Sequence, residues 1–281
     1  MIYWLPLLAF ILFVVDYRIT AGNMNVRWNG FGCVHDVVYG RAVLPMQNRV
    51  FVPYLTWIIG GFVVRRWAYL LVKYFGILFA LFGSHYFLSS IEVNAALGTV
   101  LMAALMPLMM LYDYADSYWE MGFFTVIFGM LIQGVDIWMI IPILIMAILN
   151  RESGAIIAVM AVFGMALSVR IGILVTCAAV VCLMMLVNRD IKRYCPLNLI
   201  KTNLFRWKHD KLHLLSGYNH SLILIAIFIG LSVGKWGALP ALNPIIITMA
   251  VFTVLMIVPS MWNETRVFAP LLTVIVPLMI I

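Results

Sequence analysis

Long apolar runs, each ended by a short cluster of charge, limit this chain to few folds. Only 10% of its 281 residues are charged. They gather at Asp16–Arg18, at His35, Asp36, Arg41 and Arg49, at Asp113, Asp116 and Glu120, at Arg151–Glu152, from Arg189 to Lys211, and at Glu264–Arg266. Between them, runs such as Ala95–Tyr112, Ile171–Val187 and Ala241–Trp262 are long enough, or nearly so, to cross a hydrocarbon core of about 30 Å. The chain is 65% hydrophobic with a mean hydropathy of +1.08, against a globular norm of roughly half apolar. The expected class is an all-α, polytopic transmembrane helical bundle. A transmembrane barrel would alternate apolar and polar positions over short segments, whereas these runs are continuous. In such a chain, charges are expected to line a polar cavity or to stand at its mouth.

The order of runs gives a layout of about ten crossings in a single integral domain over residues 1–281. Met1–Val15 has no basic residue before it, so it reads as a retained first helix rather than a cleavable signal. A polar loop, 16–49, follows. Val50–Val64 carries Pro53, Gly60 and Gly61 and would reach only about 22 Å as a helix, so it reads as interfacial or re-entrant. Ala68–Ile91 and Ala95–Tyr112 are joined by a tight Glu92–Asn94 turn, and Asp113–Glu120 is expected to be a loop. Met121–Asn150 is expected to break at Gln133–Gly134, near Asp136, and Gly154–Val187 at Val169–Arg170. A basic loop, 188–220, precedes Ser221–Leu239, Ala241–Trp262 and Val267–Ile281. If Val50–Val64 does not cross, every major charge cluster emerges on one face, and the other receives Glu92, Asp136, Arg170 and Lys235.

Each cluster has a chemistry and a plainer alternative. Asp36, beside His35 and ahead of Tyr39 and Arg41, has the surroundings of a base that takes a proton from a sugar hydroxyl, since partial dehydration raises a carboxylate's proton affinity. Asp16 is the second candidate, or else a loop acid or headgroup-level anchor. Arg49, just before a Pro-containing apolar segment, suits a lipid phosphate or ordinary snorkelling. Asp116 and Ser117 have the pattern of a helix cap, while Asp113 stays available for a sugar or a divalent metal; two acids do not make a metal site. Arg151–Glu152 and Glu264–Arg266 are costly unless paired, so each reads as substrate-binding or as an inter-helix ion pair. Lys201, Arg206 and Lys208 suit lipid phosphate, or a cytoplasmic anchor that sets topology.

The order of these motifs resembles a group of small bacterial membrane proteins similar to GT-C glycosyltransferases, which take a sugar from a polyprenyl-phosphate donor. The resemblance is carried by an apolar first helix, an Asp-containing loop, Arg49-x-x-x-Pro53-Tyr54-Leu55, Tyr112-Asp113, Asn150-Arg151-Glu152, and Glu264-x-Arg266-x-Phe268-x-Pro270. It spans most of the chain through short motifs. It implies a catalytic Asp in the first extracytoplasmic loop, Asp36 or Asp16, followed by an interfacial helix. Asp113 or Asp116 would match a second acidic loop. It also implies a bacterial inner-membrane location, with membrane lipid, a polyprenyl-phosphate-linked sugar and a glycan acceptor as partners; the cofactor stays open, a divalent metal being one option. Two departures stand out: many GT-C enzymes carry paired acids where this loop has Asp36 alone, and an external active face would carry most Lys and Arg, against the positive-inside rule.

A transporter or flippase for a lipid-linked or anionic solute is the competing class, with Asp136 and Arg170 at broken helices as the pathway. A glycan polymerase using the same lipids stays inseparable from the transferase by sequence. The net charge of +7 suits anionic headgroups, and no basic–aromatic module points to nucleic acid. The four cysteines form neither a disulfide framework nor a metal motif.

Overall fold

The structure, a computed structural model, describes residues 2–21, 36–39, 49–109, 115–161, 166–187, 217–257 and 265–281. All regular structure among these residues is helical. The helices are α1 (Leu5–Ala21), α2 (Phe51–Ile59), α3 (Arg65–Ser90), α4 (Ala95–Met109), α5 (Ala115–Ile132), α6 (Ile137–Asn150), α7 (Ile157–Ala161), α8 (Leu167–Val187), α9 (Gly217–Gly234), α10 (Asn243–Ile257) and α11 (Leu272–Ile280). Short 3-10 segments, Glu152–Ile156, Pro240–Leu242 and Thr265–Leu271, lead into α7, α10 and α11. Two helices, α3 and α8, are long and apolar enough to cross a membrane.

Named contacts fix the helix directions. Asp16, late in α1, pairs with Lys73, early in α3, while Trp4 packs edge-on against His85 near the other end of α3. These two helices are therefore antiparallel. Thr99 of α4 lies 3.5 Å from His85, and the Tyr86 hydroxyl donates to Gln133 Oε1 at 2.8 Å just after α5. Asn150 returns α6 to the start of α5 by donating to the Asp116 carbonyl at 2.8 Å. Lys235 donates to the Leu278 carbonyl at 2.8 Å, which sets the end of α9 beside the end of α11. The starts of α3 and α5 and the ends of α1 and α6 thus share one end of the array. The turns at 91–94 and 133–136 share the opposite end.

Tight packing of α3 on α5 forms the centre. A methyl group on Gly83 would run into Thr125 Oγ1 and the Gly122 carbonyl, so the helices meet there almost backbone to backbone. Around that seam the core is filled by Phe87, Phe124, Phe128 and Phe252, all fully buried. Polar side chains inside the helices are turned back on their own backbone: Ser84, Thr125, Thr248 and Thr253 each donate to a carbonyl one turn earlier.

Helix α2 does not run through the array. Its nine residues span about 13 Å, and Gly60 ends it before the chain turns into α3. Val52, Pro53 and Thr56 face inward, while Trp57 and Ile58 are exposed. The short apolar segment before α3 is therefore a nine-residue helix laid on α3 and α5, with the Val50 N–H donating to the Leu149 carbonyl at 2.9 Å.

Two expected boundaries move. Residues 115–120 are not loop but the first turns of α5. Helix α8 begins at Leu167, so Arg170 sits in its first turn rather than at a break.

Candidate functional site

Asp116 and Glu120 lie one turn apart on α5, so both project from the same face. Two arginines from distant segments reach them. Arg49, just before α2, places Nη1 3.3 Å from Asp116 Oδ2, and Arg151, just after α6, places Nε 3.7 Å from the same oxygen. Arg151 also donates through Nη1 to Glu120, and the Ser153 hydroxyl donates to the other Glu120 oxygen. All four charged side chains are buried or nearly so; that of Glu120 is 3% exposed. Two cations and two anions cancel. Burying any one alone would cost several kcal/mol, about 3–5 when a partner is removed, so the network exists as a unit.

Its geometry is set by backbone as well as by charge. Arg151 adopts extended φ and ψ between α6 and the following 3-10 turn, which swings its side chain from the α6 axis toward α5. Gly154 then donates its N–H to the Arg151 carbonyl at 2.8 Å. A methyl group at Gly154 would stand 2.8 Å from the Ala147 carbonyl carbon and 2.9 Å from the Ile148 nitrogen, so no larger residue fits without moving α6.

A second buried ion pair lies against α5 through Tyr118. Lys73 of α3 pairs with Asp16 of α1, and the Tyr118 hydroxyl donates to Asp16 Oδ1 at 2.8 Å. The Ala115 N–H, which starts α5, donates to the Tyr69 hydroxyl at 3.1 Å, and Trp119 Nε1 donates to the Val72 carbonyl at 3.0 Å. The N-terminal turns of α5 are thereby fastened to α1 and α3 through Tyr118, and to α6 and the Arg49 and Arg151 segments through Asp116 and Glu120.

Around Asp116 several polar atoms are buried with no hydrogen-bond partner among the described residues: Arg49 Nε, Ser117 Oγ and Asn150 Oδ1. Thr56 Oγ1 on α2 is in the same condition. A buried polar group left unsatisfied costs about 1–3 kcal/mol, and each calls for an explanation.

The residues proposed from sequence fare differently. Arg49, Asp116 and Arg151 come together in one network. Asp116 is the second residue of α5, and its carboxylate meets both arginines. Asp16 is neither a solvated loop acid nor a headgroup anchor, being 2% exposed and held by Lys73 and Tyr118. Asp36 is exposed, next to buried Val37. Asp136 is exposed in the turn between α5 and α6, and Arg170 starts α8. Asp136 thus stands at the expected break, where Gly134, at φ +67°, turns the chain from α5 to α6, whereas Arg170 lies within α8. His35, Arg41, Asp113, Lys201, Arg206, Lys208 and Glu264 lie outside the described residues, as do the side chains of Glu152 and Arg266. Among the described residues no group of three or more His, Cys, Asp and Glu is placed to hold a metal.

Sequence reading passed over Lys73, Tyr118 and the pairing of Glu120. A single Lys inside a long apolar helix reads as snorkelling. The available signal was its depth, two turns beyond Arg65 and Arg66, which already occupy the helix start.

No family model, no curated protein and no solved structure matches this chain.

Proposed function

We propose that the chain is a multi-pass membrane glycosyltransferase, similar to the GT-C enzymes, that moves a sugar from a polyprenyl-phosphate donor to a lipid-linked or cell-envelope glycan at the bacterial inner membrane. One observation carries the reading: Arg49, Asp116–Glu120 and Asn150–Arg151, from three separate motifs, converge at one end of an otherwise apolar helical array. An apolar array has no packing need for four charges at one place, and such groups in membrane helices mark functional sites.

Support for the membrane comes from the surface. Trp57 and Trp67 are exposed at the charged end, and Tyr3, Trp138 and Trp236 at the other. Aromatic side chains at two levels, with exposed Leu174, Val175, Ile227 and Ile229 on α8 and α9, suit two headgroup boundaries around a lipid-facing surface. Helix α2, apolar outside and too short to cross, suits the headgroup layer at the charged end.

In this reading Asp36 takes the proton of the acceptor hydroxyl. The acceptor oxygen bonds to the anomeric carbon as the carbon–oxygen bond to phosphate breaks, and polyprenyl phosphate leaves. Arg49 and Arg151 are the buried arginines at that end among the described residues, each balanced by a carboxylate.

The test is transfer by the purified full chain in proteoliposomes, using polyprenyl-phosphate glucose, mannose and galactose with an envelope lipid extract as acceptor. Asp36→Asn is expected to lower turnover by roughly a hundredfold or more while the exposed position leaves melting unchanged. Absence of transfer from every donor, or full activity in Asp36→Asn, overturns the reading or that assignment respectively.

A further inference from the structure

The turn from α2 into α3 presents apolar side chains outward without a break. Every residue from Gly61 to Trp67 is exposed. Phe62 is 87% and Val64 70% exposed, with exposed Trp57 before them and Trp67 after. A contiguous apolar patch on a surface marks a site of contact with protein or membrane.

Two arginines stand inside this patch. Arg65 and Arg66 open α3, whose first turn holds no acid. A cation there meets the positive end of the helix macrodipole, so the helix itself gains nothing from either charge. The stem of Arg65 folds back over the end of α2: a methyl group on Gly60 would stand 3.1 Å from Arg65 Cγ and 3.3 Å from the Trp57 carbonyl oxygen. An arginine whose stem lies along apolar surface delivers its charge to the headgroup layer. Exposed Arg18, two residues past the Asp16 that pairs with Lys73, adds a cation at the same end of the array. Acids do not match them. The segment from Val50 to Ile91 contains none. Asp16, Asp116 and Glu120 are buried in ion pairs, and Glu92 and Asp136 lie at the opposite end; Asp36 is the remaining acid whose side chain is described.

Rings and aliphatic groups with arginines set among them suit the boundary of an anionic leaflet, where the apolar groups enter the acyl region and the guanidinium meets phosphate oxygens. A second copy of the chain fits less well, because a two-fold contact through this turn would bring the arginines of both copies together. We infer that residues 57–67 form a site for anionic phospholipid: Trp57, Phe62, Val64 and Trp67 enter the acyl boundary, and Arg65, with Arg66 beside it, holds the headgroup phosphate. The site rests on the membrane part of the proposed reading and is independent of sugar transfer. It fixes α2, and Arg49 just before it, at headgroup depth.

Trp57 and Trp67 are reporters within the site. The full chain is reconstituted in nanodiscs holding acyl-brominated phosphatidylglycerol or acyl-brominated phosphatidylcholine at equal mole fraction. Quenching of this pair is the difference between the chain and Trp57→Phe/Trp67→Phe, and quenching at the opposite end is read likewise from Trp138→Phe/Trp236→Phe. Phosphatidylglycerol is expected to be favoured at Trp57 and Trp67 by about fivefold or more, roughly fivefold for each arginine engaged. Arg65→Lys keeps the charge and should keep most of that preference. Arg65→Gln/Arg66→Gln should bring it close to one while quenching by phosphatidylcholine is unchanged. Equal quenching by both lipids in the wild type overturns the inference, as does a preference that survives the double substitution or a double variant that loses quenching by both. If neither lipid quenches Trp57 and Trp67 but both quench Trp138 and Trp236, protein covers the turn, and the site falls while the membrane reading stands. If no tryptophan is quenched, the membrane reading falls and takes the site with it.

Discussion

Replacing Arg151 with Met removes a side chain that touches both carboxylates of the network. Asp116 keeps Arg49 at 3.3 Å. Glu120 keeps only the Ser153 hydroxyl among the partners described for it, and with its side chain 3% exposed it has almost no water to turn to. The cost therefore follows Glu120, and stripping one partner from a buried pair costs about 3–5 kcal/mol. That is roughly a thousandfold change in the ratio of folded to unfolded chain. The partner substitution supplies the control. In Arg151→Met/Glu120→Met the lost cation is matched by a lost anion, Met fills much of the vacated volume, and stability is expected to return to within about 1 kcal/mol of wild type. The pairwise coupling should then be at least about 2 kcal/mol, and larger by whatever Glu120→Met costs alone. The assay is reversible SDS unfolding in mixed micelles, read by tryptophan fluorescence, for wild type, both single variants and the double. A loss below about 1 kcal/mol for Arg151→Met, or a double variant no more stable than the sum of the singles, would refute the argument that the pair is buried and interdependent.

Lys73→Met should cost a similar 3–5 kcal/mol in the same assay by stranding Asp16, with Asp16→Leu restoring most of it. Gly154→Ala should destabilise by about 1–3 kcal/mol, because the new methyl meets α6 backbone and not a movable side chain; transfer activity should fall with it as Arg151 is displaced. In a chain without its native cysteines, single cysteines at the exposed positions Arg18 and Gly61 should label from one side of the membrane in intact cells, and cysteines at Asn94 and Ala238 from the other. Labelling of Arg18 and Gly61 from opposite sides would make α2 a crossing and undo the common charged face.

Much of the scaffold was readable because hydrophobic run length is a strong constraint on helices. The short reach of Val50–Val64 and the break at Gln133–Gly134 both reappear as structure, in α2 and in the turn before α6. The residues of the site were read less well, for two physical reasons. A charge cluster at the edge of an apolar run looks the same whether it is loop or the polar first turns of a helix, and so Asp116 and Glu120 were assigned to a loop. Pairing is a long-range property: nothing local to Asp16 announces Lys73 in α3 or Tyr118 in α5. What could be read was which charges are too expensive to leave alone, and Arg151 answered to that rule.

The two ion-paired clusters that meet on α5 also bear on how the chain is made. As α5 leaves the ribosome, the partners of its Tyr118 side, Asp16 and Lys73, have already been synthesised, and so has Arg49. Arg151 has not. Until α6 has followed it, Glu120 lacks the guanidinium that donates to it, and on the proposed membrane reading α5 is a poor candidate to settle in lipid by itself. The short turn at Gln133–Asp136 links α5 directly to the helix that delivers Arg151. On the proposed membrane reading, helices α5 and α6 enter as a hairpin that docks onto a preassembled α1–α3 unit, and a stop inserted between them leaves α5 outside the bilayer.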